Sequence, residues 1–177
     1  HKEEEAFFVG DADGKPTGIF HTTGGAQVGV TAAASAAISV DEVLDLFYSL
    51  KSPYRKKAGF VMNDGTVKAI RKLKDGQGNY LWQLGDVTKG SPGTLLGYRY
   101  EVNQAMDSIA TGKKVMLFGD FGKYFVRRVG SPAIGVLRER FWSDIGIAGL
   151  IRFDGELGDT AAIKHLWSTY KIAKRRV

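Results

Sequence analysis

The chain has 177 residues, 44% of them hydrophobic and 25% charged, with a formal net charge of +6 and no cysteine. That length suits one domain with a core of its own, and the lack of cysteine excludes disulfides, thiolate metal sites and a cysteine nucleophile. No apolar run is long enough to span a membrane as a helix, and the start, His1-Lys2-Glu3-Glu4-Glu5, is charged where a signal peptide needs an apolar centre.

In chain order, the apolar Ala6-Phe7-Phe8-Val9 feeds a turn, Gly10 to Gly18, dense in Gly, Asp and Pro. Asp11 and Asp13 there do not form a calcium loop, because Pro16 and Thr22 stand where glycine and glutamate are required. Gly24 to Ala37 is built of small residues with little to anchor a core and reads as an extended or mobile connection. Ser39 and Glu42, three apart before Val43, Leu44, Leu46, Phe47 and Leu50, form a capping box ahead of an amphipathic stripe. They predict a helix of about twelve residues from Val40, ended before Pro53. Phe60 to Met62 reads as a strand, and Thr66 as the cap of a helix whose inner side holds Val67, Ala69, Ile70 and Leu73.

On that helix, Lys68, Arg71 and Lys72 fall three and four apart and share an outer face, available to phosphate or simply solvated. Gly76 and Gly78 mark a turn, Tyr80 to Trp82 a strand and Gly85 to Gly93 a loop. Further strands are expected at Leu95 to Val102, Lys114 to Phe118, Tyr124 to Val129, Ile134 to Trp142, Ile145 to Phe153 and Ala161 to Trp167. A turn is expected at Asp154-Gly155, and a frayed basic tail from Lys171 to Arg176. The positive charge is spread over many elements and forms no dedicated nucleic-acid arm.

Chemistry is sparse. Gly112-Lys113 lacks the earlier glycine and the following Ser or Thr of a phosphate-binding loop, since Asp107 and Lys114 hold those places. His1, His21 and His165 have no helical pairing or third-ligand spacing, and Glu42, Asp45, Asp120 and Glu139 cannot be paired from sequence as an acid and base. No catalytic residue, metal site or cofactor is assigned, and no enzyme activity is expected.

Seven blocks nevertheless stand in a telling order: Gly10-Asp11-x-Asp13-Gly14-x-Pro16-x-Gly18-Ile19, the helix Val40 to Leu50, Phe60-Val61-Met62-Asn63, Lys72-Leu73-Lys74-Asp75-x-x-Gly78-x-Tyr80-Leu81, Leu96-Gly97-Tyr98, Phe118-Gly119-Asp120-Phe121-x-x-Tyr124 and Arg152-Phe153-Asp154-Gly155. In this order and over nearly the whole chain they resemble the major capsid proteins of tailed phages, of the Hong Kong 97 type.

The resemblance implies an α+β fold with an axial domain, a mixed sheet flanked by helices, and part of a peripheral domain. By position, 19–129 and 156–170 resemble the axial domain, 1–18 and 130–155 the partial peripheral domain, and 171–177 a basic tail. The N-terminal arm, extended loop and most of the spine helix of such proteins would precede His1, so the chain is expected to be the C-terminal portion of a subunit, with Glu3 to Phe7 the end of that helix. The implied function is a shell subunit that forms pentamers and hexamers around double-stranded DNA in the virion, after synthesis in the host cytoplasm. The implied partners are copies of itself, a scaffolding protein or segment, and packaged DNA held by non-specific contacts; no membrane is implied, and this portion alone is expected to be monomeric. Lys68, Arg71 and Lys72 are candidates for the DNA-facing surface. Some relatives weld their shells by a lysine–asparagine isopeptide bond assisted by a glutamate. Alignment on Phe141 puts Asp144 and Ile151 at the asparagine and glutamate places, so self-catalysed cross-linking is not expected. An encapsulin-like compartment shell shares the implied fold and is the alternative, with a basic nucleic-acid-binding module of another fold behind it.

Overall fold

The computed structural model describes residues 2–34, 37–74, 77, 94–137 and 146–168. The charged start forms α1 (Lys2–Val9), and a tight loop closed by an Asp11–Thr17 bridge follows, with the Asp11 carboxylate accepting from the Asp13 N–H and pairing with Lys15. This is the turn expected from its Gly, Asp and Pro content.

The small-residue stretch departs from its expectation. Residues Gln27–Ala32 form β1, hydrogen-bonded in parallel to β8 (Ile163–Ser168). The strand is held by its ladder instead of by large side chains, and its small residues serve close approach. A Cβ on Gly29 would lie 2.7 Å from Ser49 Oγ and 2.8 Å from Leu46 Cδ1, inside the contact distance of the helix packed above it.

That helix is α2 (Val40–Ser49), with the expected capping box complete: Ser39 Oγ accepts from the Glu42 N–H at 3.2 Å and the Glu42 carboxylate accepts from the Ser39 N–H at 2.8 Å. The same carboxylate accepts from the Ala33 N–H at 2.7 Å, so one buried side chain fixes both ends of the connection between β1 and α2. Replacing Glu42 with alanine leaves two backbone N–H groups, those of Ala33 and Ser39, without their acceptor, and a loss of about 2 kcal/mol is expected. A chemical-denaturation midpoint checks it; an unchanged midpoint would mean water replaces the carboxylate without cost. The helix is two residues shorter than twelve, and Pro53 lies in the first turn of a separate short helix, α3 (Ser52–Arg55), where its missing N–H costs nothing.

β2 (Gly59–Met62) leads into α4 (Asp64–Arg71). Its cap is Asn63, whose side-chain oxygen accepts from the Gly65 N–H at 2.9 Å; Thr66 lies inside the helix, fully buried with an unpartnered hydroxyl. Both residue types cap helices, and only the burial of Val67 and Ile70 fixes which one ends outside the helical turn. The expected strand from Leu95 to Val102 is a hairpin instead: β3 (Thr94–Leu95) and β4 (Tyr98–Val102) are joined by Leu96 and Gly97, both with positive φ, as a two-residue primed turn requires. The expectations for Gly76, Gly78, Tyr80 to Trp82, Gly85 to Gly93 and the basic tail fall outside the described residues.

β5 (Lys114–Gly119) completes a sheet of strand order β1-β8-β5-β2-β4-β3, mixed parallel and antiparallel. Alternation along the strands splits its side chains between two layers. Phe60, Met62, Met116, Phe118 and Leu166 pack on one face beneath α2 and α4. Val61, Leu117 and Ile163 pack on the other against Ile19, Ala26 and Met106, with Phe8, Phe20 and Tyr124 at the margin.

After a single turn at Phe121–Lys123, two long strands, β6 (Tyr124–Leu137) and β7 (Gly146–Leu157), form a separate two-stranded sheet among the described residues. Two expected strands are thus one β6, which passes Gly130 at positive φ with a register irregularity between Val129 and Ala133. Asp154-Gly155 is not a turn but lies inside β7. Gly155 is needed there because a Cβ would meet Tyr124 Oη at 2.6 Å, in a ring that crosses the strand to donate to the Thr17 carbonyl.

Candidate assembly surfaces

The ribbon of β6 and β7 is anchored at one end and bare at the other. At its base, Phe7 of α1 contacts the rings of Phe153 and Tyr124, and the Thr17 N–H donates to the Gly155 carbonyl at 2.9 Å. Burial first, and then the Asp154 carboxylate, push the Tyr124 phenol up to about 12, so it stays a neutral donor to Thr17. Beyond Gly130, residues 131–137 and 145–151 contain no charged side chain. Ile134 is 74% and Ile147 75% exposed, and Val136 and Leu150 are also exposed. Val136 pairs directly with Ile147, and Ile134 lies two residues from Val136, so these three stand on one face. An isolated two-stranded ribbon is marginal in water, and a contiguous apolar patch of this kind marks a surface that is covered in use.

The helical layer carries the second feature. Asp41 and Asp45 are exposed one turn apart on α2, followed by the exposed Tyr48. Lys68 and Lys72 are exposed one turn apart on α4, Lys72 as its C-cap. Arg71 differs from the two lysines: its guanidinium donates to Tyr100 Oη at 2.6 Å and ties α4 to β4. The expected common basic face is therefore two solvated lysines beside a structural arginine. Of the two positions aligned with the cross-link, Asp144 lies outside the described residues and Ile151 is half-buried on β7.

No group of three or more His, Cys, Asp or Glu among the described residues is placed to hold a metal. His165 is buried, with no hydrogen bond of normal geometry on either ring nitrogen among the described residues, and its ring lies beside those of Phe20 and Trp167. No described helix is long and apolar enough to cross a membrane. The model of the "Phage capsid family" matches residues 1–167.

The chain belongs to the phage capsid family. Among solved structures, this capsid-family chain is similar to the capsid of an empty gene transfer agent (GTA) particle computed with C5 symmetry, at 33% identity and a TM-score of 0.79, covering 96% of this chain and 62% of that one. It is also similar to the capsid of the native GTA particle, at 33% identity and TM-score 0.75, covering 96% and 67%. A Gordonia phage Cozz structure shares the fold at 10% identity and TM-score 0.63, covering 96% and 60%. The chain thus spans 62% of the length of the first of these. No curated protein matches it significantly.

The α+β fold class holds. The ribbon's exposure was not legible beforehand, although its signal was present: uncharged strand sequence on both sides of the connection. Sequence distinguishes a buried apolar strand from an exposed one only when the rest of the sheet is known.

Proposed function

We propose that this chain is the lattice-forming portion of a major capsid subunit that assembles into pentamers and hexamers of an icosahedral shell enclosing double-stranded DNA. The observation that carries the proposal is the uncharged, exposed ribbon on a chain of the phage capsid family. The GTA capsids among its structural neighbours favour a capsid over an encapsulin-like compartment. The role is structural, with no catalysis of its own, and it is performed in the virion after synthesis in the host cytoplasm and assembly on a scaffolding protein or segment.

In this proposal the six-stranded sheet and its helices, 19–129 with 156–170, form the axial domain. The ribbon with α1 and its loop, 1–18 and 130–155, belongs to the peripheral domain. The break at Gly130 and the irregularity after Val129 support that boundary. A single heterologous contact repeated around an axis closes into rings, and modest flexing lets five- and six-membered rings coexist. Shell cohesion rests on buried apolar area without an isopeptide weld, as the Asp144 and Ile151 positions suggest.

The test replaces Ile134 and Ile147 with aspartate in the full-length subunit, expressed with its scaffolding partner and imaged by electron microscopy. Each apolar side chain removed from an interface forfeits about 2 kcal/mol, multiplied over every contact in the lattice. The expected result is closed shells from the parent and none from the variant, with the variant's melting temperature within about 3 °C of the parent, because surface substitutions perturb folding little. A parent that stays monomeric under all conditions sinks the proposal.

A further inference from the structure

The outward faces of α2 and α4 carry charges of opposite sign, while Lys51, Arg55, Lys56 and Lys57 on and beside α3 add positive charge next to the end of α2, with Arg55 over the Tyr48 ring. α2 packs over β1 and β8 at one end of the strand order, and the Arg71–Tyr100 bond fixes α4 over β4 at the other. Both helices close the same apolar layer, so they lie on one face. α2 contains Asp41, Glu42 and Asp45 and no basic residue; with Glu42 buried, Asp41 and Asp45 are its outward charges. α4 presents Lys68 and Lys72, with Asp64 the acidic residue of the same helix. None of Asp41, Asp45, Lys68 and Lys72 has an ion-pair partner among the described residues.

We infer that the Asp41–Asp45 face of one copy docks against the Lys68–Lys72 face of the next, as the head-to-tail contact that sets the direction of the capsomer ring. This rests on the shell reading above and names its partner: a second copy of this chain. Charge complementarity carries it. Two carboxylates one helical turn apart match two ammonium groups one turn apart. A contact that laid either face on its own copy would set like charges together. A patch at one end of the sheet answered by a complementary patch at the other is the arrangement that propagates around an axis. Exposed pairs of this kind contribute register and partner choice more than affinity.

The test uses the full-length subunit in two variants: Asp41→Lys with Asp45→Lys, and Lys68→Glu with Lys72→Glu. The first carries lysine on both faces and the second carries carboxylates on both, so each alone is expected to lose capsomer yield by about tenfold at low salt. Mixed one to one, they present complementary faces in strict alternation. Alternation closes an even ring but not an odd one, so the mixture is expected to form hexamers without pentamers, seen as flat or tubular lattices lacking closed shells. Melting curves identify any variant that fails to fold; single reversals at Asp45 and Lys68, away from the helix start, then replace the pairs. Wild-type shell yield from either variant alone, or a mixture of folded variants no better than its components, overturns the inference while leaving the shell reading intact. Normal shells from the Lys68→Glu, Lys72→Glu variant with reduced DNA content overturn it in favour of a DNA-facing role. A parent subunit that forms no shells overturns the shell reading, and this inference with it.

Discussion

Replacing Phe118 with alanine is expected to lower the unfolding free energy by about 3–5 kcal/mol, the cost of emptying a large aromatic site in a closed core. The ring is fully buried at the centre of the sheet. It stacks on Phe60 with centroids 4.3 Å apart and 27° between planes, meets Tyr98 edge-on at 5.5 Å, and touches Phe47 of α2 at 5.5 Å. One side chain thus joins β5 to β2, to β4 and to the helix above. A backbone held in the middle of a six-stranded sheet cannot collapse into the vacated space, which places the cost toward the upper part of that range. Domains of this size hold roughly 5–15 kcal/mol in all, so the variant approaches the threshold of folding. Urea unfolding checks this: the midpoint should fall with little change in slope. A loss below about 1 kcal/mol would mean the cluster repacks freely.

Mild acid is expected to destabilise the protein through His165. The imidazole lies on β8 between β1 and β5, 2% exposed, with no hydrogen bond of normal geometry on either nitrogen among the described residues. Burial first, then the positive charge of Lys114, lower its pKa from 6.5 to about 4; Lys164 acts in the same direction and the Ala26 backbone opposes them. Lys114 cannot move away, because its ammonium donates to the Phe20 carbonyl and sits 5.4 Å from the Phe20 ring centre and 5.6 Å from that of Trp167. Burial lowers the Lys114 pKa as well. A base with a depressed folded pKa is protonated first in the unfolded chain. The stabilisation is therefore complete above pH 6.5 and is lost as pH falls from there to about 4, by about 3 kcal/mol. The lowered carboxyl pKa values of Asp11 and Asp159 act below the usual carboxylate value of 3.8, outside the window in which His165 acts. Stability measured against pH should slope across the window in the parent and run flat in His165→Leu. Equal slopes in both would remove His165 from the account.

Local rules served well where a segment's structure is decided within itself. The capping box at Ser39 and Glu42, the strand at Phe60 to Met62, and the Asp11 to Gly18 turn all formed where the residues dictate. They failed where a distant partner decides. Gly24 to Ala37 reads as a connection until β8 offers its parallel edge, and Asp154-Gly155 reads as a turn until Tyr124 crosses it toward Thr17. Arg71 reads as a third outward cation until Tyr100 is brought beside it.

Periodicity, capping and turn chemistry act over a few residues, so α2, α4, most of the strands, the absence of thiol chemistry and, through seven ordered blocks, the resemblance to phage capsids were legible in the residues themselves. That Ile134 and Ile147 face solvent, and that the outward carboxylates of α2 and the lysines of α4 share one side of the sheet, follows only from the fold. Exposure and the arrangement of charge belong to the relative placement of elements far apart in the chain.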